Sequence, residues 1–494
     1  MPTPLDQLAD CLYSFSGEPA FCIARKFYSY GELEKVIGKI QGKITQAGIS
    51  AHCKIGIVTY DDIETYASVF SVLFLGHAFV PINPLHPAER NCAIAERSEL
   101  KLILSSKEDM SIEKFAGQTT IVMTSGNLPE GDLVRVPLHD HQHAYLLFTS
   151  GSTGIPKGVP VNIGNLNSFL ESFFSLGYKI DHRDRFIQMF DMTFDLSIMS
   201  YMVPLCIGAC VYTVPFDAIK YVHVLKLLEE DRITFALLIP SVLTNLRKYF
   251  AEINLPEMRY SLFCGEALYE DIAIEWSKCL PGAIVQNVYG PTEATIFCMT
   301  YEMDRKGNNK SNNGMLCIGK PMKAVGACIV SEGLVPVEQG EKGELCLTGE
   351  QVTPGYFKDE QQNKNSFFNY GGSRYYRTGD LAFCDSDGDY FFIGRSDYQV
   401  KINGYRVELS ELEHHAMQFL KANSAVALAA AAGEGNSQLY LCIENFKGSF
   451  EDLTKHLKTQ LPSYMMPSKY FSVESFPLSA NGKVDRNALM QMIF

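Results

Sequence analysis

KIGIVTYDDIETYASVFSVLFLGHAFVPIN, Lys54 to Asn83, is the stretch whose reading decides the fold class. KIGIVTY is a short apolar, β-branched run and reads as a buried strand. DIETYASVFSVLFLG reads as a helix, and HAFVPIN as a second strand. Strand, helix and strand in that order predict a parallel sheet with a helical crossover. The alternation recurs as FALLIP (235–240), SVLTNLRKYF (241–250) and RYSLFCG (259–265). DRKGNNKSNNG, Asp304 to Gly314, reads as a solvated surface loop. After about Gly394 the segments shorten. A strand QVKIN is followed by a helix from Ser410, an alanine-rich strand, a strand LYLCIE and a helix near Leu453 to Leu461. The fold class expected is α/β: a large N-terminal domain of parallel or mixed sheets with helices, residues 1–396, and a small mobile α+β domain, residues 397–494.

At 494 residues the chain exceeds what one hydrophobic core organises. Hydrophobic residues at 46% and charged residues at 20% are ordinary for a soluble globular protein. A net charge of −13 excludes the basic face of a nucleic-acid binder. The acidity lies before Asp397, with 34 Lys and Arg against 46 Asp and Glu; from Asp397 onward the count is 9 against 10. Fourteen scattered cysteines follow no disulfide or zinc spacing and read as reduced thiols. MPTPLDQLAD is no signal peptide, and no apolar run spans a bilayer. A cytoplasmic protein without membrane insertion is expected.

The chemistry gathers in LFTSGSTGIPKG, Leu147 to Gly158, where an apolar strand runs into a loop of Gly, Ser and Thr closed by Lys157. Small residues bring backbone N–H groups to phosphate oxygens, hydroxyls add donors, and lysine adds charge. Gly158 and Val159 follow Lys157, so this is no Walker loop, which continues with Ser or Thr. Four further motifs follow in order: NVYGPTEAT (287–295), YRTGD (376–380), GRSDYQVKINGYRVE (394–408) and PLSANGKVDR (477–486).

Together these five resemble the signatures of the adenylate-forming superfamily, which includes acyl-CoA synthetases, luciferases and peptide-synthetase adenylation domains. The resemblance implies ATP-dependent activation of a carboxylic acid as its acyl-adenylate. It places Thr149, Ser150, Gly151, Ser152, Thr153, Gly154 and Lys157 on the phosphates, with Gly290 and Thr292 in the second motif. Tyr289 would stack on adenine, Asn287 bind its amine, and Asp380, with Arg395 beside it, hold the ribose hydroxyls. Glu293 would hold Mg²⁺, whose hardness suits carboxylate oxygen. Lys483 would bridge the carboxylate and the α-phosphate, stabilising charge as the two anions meet. Asp397 would be the hinge, with Lys401 and Gly404 lining a thiol channel after rotation.

FDLSIMS, Phe194 to Ser200, bears on the acid. By resemblance Asp195 pairs with a substrate ammonium, since a buried unpaired carboxylate is costly; the alternative is a helix cap. The other pocket positions carried over are Leu196, Met199, Leu238, Leu262, Cys264, Val288, Ile296 and Phe297. None is charged, so a small or apolar side chain is expected. FDLSIM and FCGEAL together are most similar to D-alanine:D-alanyl carrier protein ligases, in which a cysteine at the Cys264 position favours the D-enantiomer. The alternatives are a free-standing adenylation enzyme for another small or β-amino acid, or an acyl-CoA synthetase. The chain ends eleven residues after Lys483, so the expected acceptor is the phosphopantetheine thiol of a separate, acidic carrier protein. HDHQH, with His139, His141 and His143, has metal-ligating residue types but no distant partner, and is not read as a metal site.

Overall fold

A computed structural model describes residues 3–108, 119–126, 128, 130–151, 156–215, 218–395, 399–420, 424–431, 437–477 and 484–494. The opening stretch folds as read: strand Lys54–Val58, helix Ile63–Phe74, strand Ala78–Ile82, the two strands parallel. Asp62 starts that helix by accepting from the Thr65 N–H at 2.9 Å.

The chain divides into two compact units. Met1–Pro84, Ala95–Leu147 and Gly158–Ser396 form the first; Leu85–Ile94, Phe148–Lys157 and Asp397–Phe494 form the second. Two segments that the sequence reading assigns to the large domain, including the Gly/Ser/Thr loop, thus cluster with the C-terminal residues. They lie far off in sequence, and only long-range contacts place them there.

Two large sheets organise the first unit. One has six strands in the order Thr120–Met123, Leu102–Ser105, Lys54–Val58, Ala78–Ile82, His143–Thr149, Lys157–Asn162. The other has nine, from Lys320–Pro321 through Met299–Glu302, Ile284–Tyr289, Tyr260–Phe263, Phe235–Leu238, Arg185–Gln188, Cys210–Thr213 and Pro19–Ile23 to Lys26–Ser29. Its central strands are parallel and buried on both faces, hence their continuous apolar runs. Side chains that alternate along a strand enter different cores: Leu237 and Leu262 join one, Leu238 and Phe263 the other. A third sheet, antiparallel, carries Ser373–Cys384 paired with Tyr390–Arg395. The run Asp304 to Gly314 is more than a solvated loop. Ser311–Asn312 pairs with Met315–Leu316, and the Lys310 ammonium sits 2.6–2.7 Å from Asp385, Asp387 and Asp389.

In the second unit a three-stranded sheet, Ala425–Ala431, Ser437–Glu444 and Lys469–Val473, buries both faces. Ala427, Leu441 and Ile443 pack with Leu412, Leu453 and Leu457; Val426, Leu428 and Cys442 pack with Phe476 and Leu489. Among the described residues no helix is long and apolar enough to cross a membrane.

Candidate active site

Asp195 is the first residue of helix Asp195–Leu205, all of whose residues are buried. Phe194 occupies the cap position and no side chain caps this helix, so Asp195 is not there as a cap. Asp195 is 6% exposed, and its Oδ2 has no hydrogen-bond partner. Burial pushes its pKa up to about 7 and the nearby Glu293 adds to the rise, against opposing contacts from Thr292 and the backbone at Ile296 and Leu196.

Leu196, Met199, Leu262, Cys264, Val288, Ile296 and Phe297 all belong to one large apolar core of the first unit. Phe297 stands edge-on to Phe169, ring centroids 5.1 Å apart. Leu238 stands apart from the other seven positions. It pairs in register with Phe263 and joins the opposite core, whereas Leu237 pairs with Leu262 and joins the core that holds the others. A one-residue displacement along a strand exchanges faces.

The turn after strand Ile284–Tyr289 is strained. Thr295 and Ile296 have φ of 55° and 74°, which β-branched residues seldom adopt. Gln351, fully buried, holds them: its Nε2 donates to the carbonyls of Ala294, Thr295 and Phe297 at 3.1–3.4 Å, and Thr295 Oγ1 donates to its backbone carbonyl at 2.6 Å. A Cβ on Gly290 would lie 2.4 Å from the Phe297 Cα, so only glycine fits. Glu293 in this turn is 1% exposed and accepts from the Tyr356 hydroxyl at 2.7 Å. Gln351 and Tyr356 are the residues that sequence reasoning misses; each looks like an ordinary loop residue until the chain is folded.

Tyr289, Asp380 and Arg395 meet: the Tyr289 hydroxyl donates to Asp380 Oδ2, and Arg395 Nη1 donates to Oδ1 at 2.5 Å. Asn287 is buried on the other strand face from Val288, its Nδ2 donating to the Cys317 carbonyl at 2.9 Å.

In the second unit the loop donors are met by carboxylates. Gly151 N–H donates to Glu411 Oε2 at 3.2 Å and Lys157 Nζ lies 3.4 Å from Glu408 Oε1. Ser150 Oγ donates to the Arg406 carbonyl at 3.0 Å and accepts from the Glu408 N–H. Thr149 ends the preceding strand. Arg90 pairs with Glu411 at 2.6 Å, side chains 5% and 0% exposed. These donors therefore suit anionic oxygen. Exposed Lys401 and half-buried Gly404 belong to the hairpin Gln399–Ile402 and Tyr405–Glu408, whose two-residue turn, Asn403-Gly404, takes positive φ at both positions. Ser152, Thr153, Gly154, Asp397 and Lys483 lie outside the described residues.

The AMP-binding enzyme family model matches residues 10–357. The chain belongs to the AMP-binding enzyme family. It is 30% identical to the D-alanine–D-alanyl carrier protein ligase of Bacillus licheniformis, over 96% of this chain and 96% of that protein. It is also 30% identical to one of the linear gramicidin synthase proteins of Brevibacillus parabrevis, over 95% of this chain but 9% of that protein. The chain thus spans nearly all of one relative and under a tenth of the other. In fold it is similar to the Vibrio cholerae adenylation domain AlmE in complex with glycyl-adenosine-5'-phosphate, at TM-score 0.87 and 24% identity, covering 99% of this chain and 97% of that one. The α/β expectation therefore holds, and the family member has the architecture of an adenylation domain.

Proposed function

We propose that this chain activates a small amino acid with ATP, forming aminoacyl-AMP and pyrophosphate, and passes the aminoacyl group to the phosphopantetheine thiol of a separate carrier protein. The observation that carries the reading is Asp195. A carboxylate oxygen buried without a partner among apolar side chains is costly unless a cation arrives, and the ammonium of an amino acid is such a cation. A plain carboxylic acid would leave that cost standing, which disfavours the acyl-CoA synthetase alternative.

Uncharged Leu196, Met199, Leu237, Leu262, Cys264, Val288, Ile296 and Phe297 would offer an apolar surface to a small apolar side chain, Leu237 standing in for Leu238 because it shares their core. D-alanine leads, in line with the ligase relative named for it. Tyr289 would face the adenine, while Asp380, steadied by Arg395, would accept from the ribose hydroxyls. The loop from Thr149 to Lys157 would hold phosphate oxygen in the place of the Glu408 and Glu411 carboxylates. Glu293 fits Mg²⁺: that ion is commonly held by one or two carboxylates plus substrate phosphates, and Glu293 is a buried carboxylate steadied by Tyr356. Bound there, the ion would neutralise charge on the phosphates. Lys483, on the second unit, would supply the cation between carboxylate and α-phosphate, and Asp397 would be the hinge that withdraws it.

The near-neutral residues after Asp397 would admit an acidic carrier protein with less repulsion than the acidic remainder. All fourteen cysteines are free, which suits the reducing cytoplasm. The test is amino-acid-dependent exchange of pyrophosphate into ATP across D-, L- and β-amino acids. Mg²⁺-dependent exchange led by D-alanine or another small apolar amino acid is expected. Preference for glutamate, lysine or tryptophan would overturn the pocket assignment.

A further inference from the structure

Away from that site, in the first unit, the residues around His52 and the His139–His143 segment enclose a cleft of about 320 Å³. His52, Lys54, His139, His141, Gln142 and His143 line it, and among the described residues no carboxylate does, in a protein of net charge −13. Gln142 builds it: 8% exposed, it accepts from the His139 N–H at 2.8 Å through Oε1 and places Nε2 2.8 Å from His52 Nδ1. One buried amide thus fixes both walls. The His139 and His141 rings lie nearly parallel, centroids 5.8 Å apart.

Lys54 shows what the cleft lacks. Its side chain is 17% exposed, and the Glu99 carboxylate stands 3.9 Å away while also bonded to Lys358. Burial draws the Lys54 pKa down despite Glu99, and it draws His143 down as well, with Lys54 adding to that. Glu99, shared with Lys358, is the carboxylate paired with this cation, which also lies over the Phe357 ring, 4.5 Å from its centroid. Metal is the other occupant imidazoles suggest, but among the described residues no group of three or more His, Cys, Asp or Glu is disposed to hold one. An anion needs donors spread around it rather than lone pairs converging on a point, and that is the arrangement here.

We propose that this cleft binds a phosphate-bearing anion, held by the Lys54 ammonium and by N–H groups of His52, His139 and His141. The other titratable groups near the walls are Glu99 and Lys358, paired together; Asp140, whose Cβ packs against Gly164; and His77, which accepts from the Cys53 N–H. None of these supplies a free carboxylate to the lining.

Equilibrium dialysis of the full chain tests this, with the nucleotide site filled by α,β-methylene-ATP. Radiolabelled sulfate serves as the probe, and its saturable binding is expected with the analogue in place. It should be lost in Lys54→Met and in the His139→Gln/His141→Gln double variant, both keeping wild-type pyrophosphate exchange. Inorganic phosphate and ribose 5-phosphate are then compared: equal affinity assigns free phosphate as the ligand, tighter ribose 5-phosphate a phosphorylated small molecule. Binding that survives both variants overturns the proposal. So does anion binding that appears only when the nucleotide analogue is left out, because it then belongs to the ATP site.

Discussion

A proton on Asp195 offsets its burial, and this has consequences for stability and substrate affinity. With a pKa of about 7 against 3.8 for an ordinary aspartate, the folded state binds this proton more tightly than the unfolded chain does. Stability therefore falls as pH rises from about 4 to 7, and the full cost, on the order of 4 kcal/mol, persists above that. Asp195→Asn should melt higher than wild type at pH 8, and calorimetry should find the gap closing near pH 4. Affinity runs the other way, because an ammonium pairs with the ionised form. The kcat/KM for the amino acid should climb by up to about tenfold per pH unit below the pKa and level off above it. Asp195→Asn should lose activation of every amino acid; wild-type kinetics in that variant would rule out the ammonium role.

Strand register separates two neighbouring leucines at the scale of elements. Leu237 and Leu238 are neighbours in sequence but belong to opposite cores. Leu237→Ala should shift the exchange panel toward larger side chains, whereas Leu238→Ala should cost about 2–5 kcal/mol of stability with the substrate order unchanged. The reverse pattern would restore Leu238 to the pocket. Reading FALLIP as a strand was possible from its apolar run, but the two faces were not, because a strand buried on both sides has no polar alternation to mark which residue points where. In the second unit, Arg90→Leu would leave Glu411 buried without its ion-pair partner. Urea unfolding should register a loss of about 3–5 kcal/mol, and Arg90→Leu/Glu411→Met should recover most of it.

The proposed two-step reaction concerns the molecule as a whole. In that proposal Lys483 would act only while carboxylate and α-phosphate approach, so Lys483→Ala should slow adenylate formation by about a hundredfold or more, as loss of a preorganised electrostatic group does. Given preformed aminoacyl-adenylate, the same variant should still load a carrier thiol. Asp397→Pro, with φ locked near roughly −65°, should spare adenylation and slow thioester formation. Rapid-quench timing of each half-reaction separates the two variants; equal damage to both steps in both proteins would remove the hinge.

The five motifs and the strand–helix alternation were legible because local chemistry writes them: small residues for close backbone approach, apolar periods for buried elements, a lone aspartate in an apolar run. On those grounds the sequence alone determined the fold class, the family and Asp195 as the residue to watch. Folding decided what depends on distant partners. Gln351 clamps the strained Thr295–Ile296 turn from more than fifty positions away, Tyr356 meets Glu293 across 63 residues, and pairing with Leu262 and Phe263 sends Leu237 and Leu238 to opposite cores. Burial is also a tertiary property, and it leaves one Asp195 oxygen, Oδ2, without a hydrogen-bond partner. A buried charge is costly only once the surrounding chain has excluded water from it.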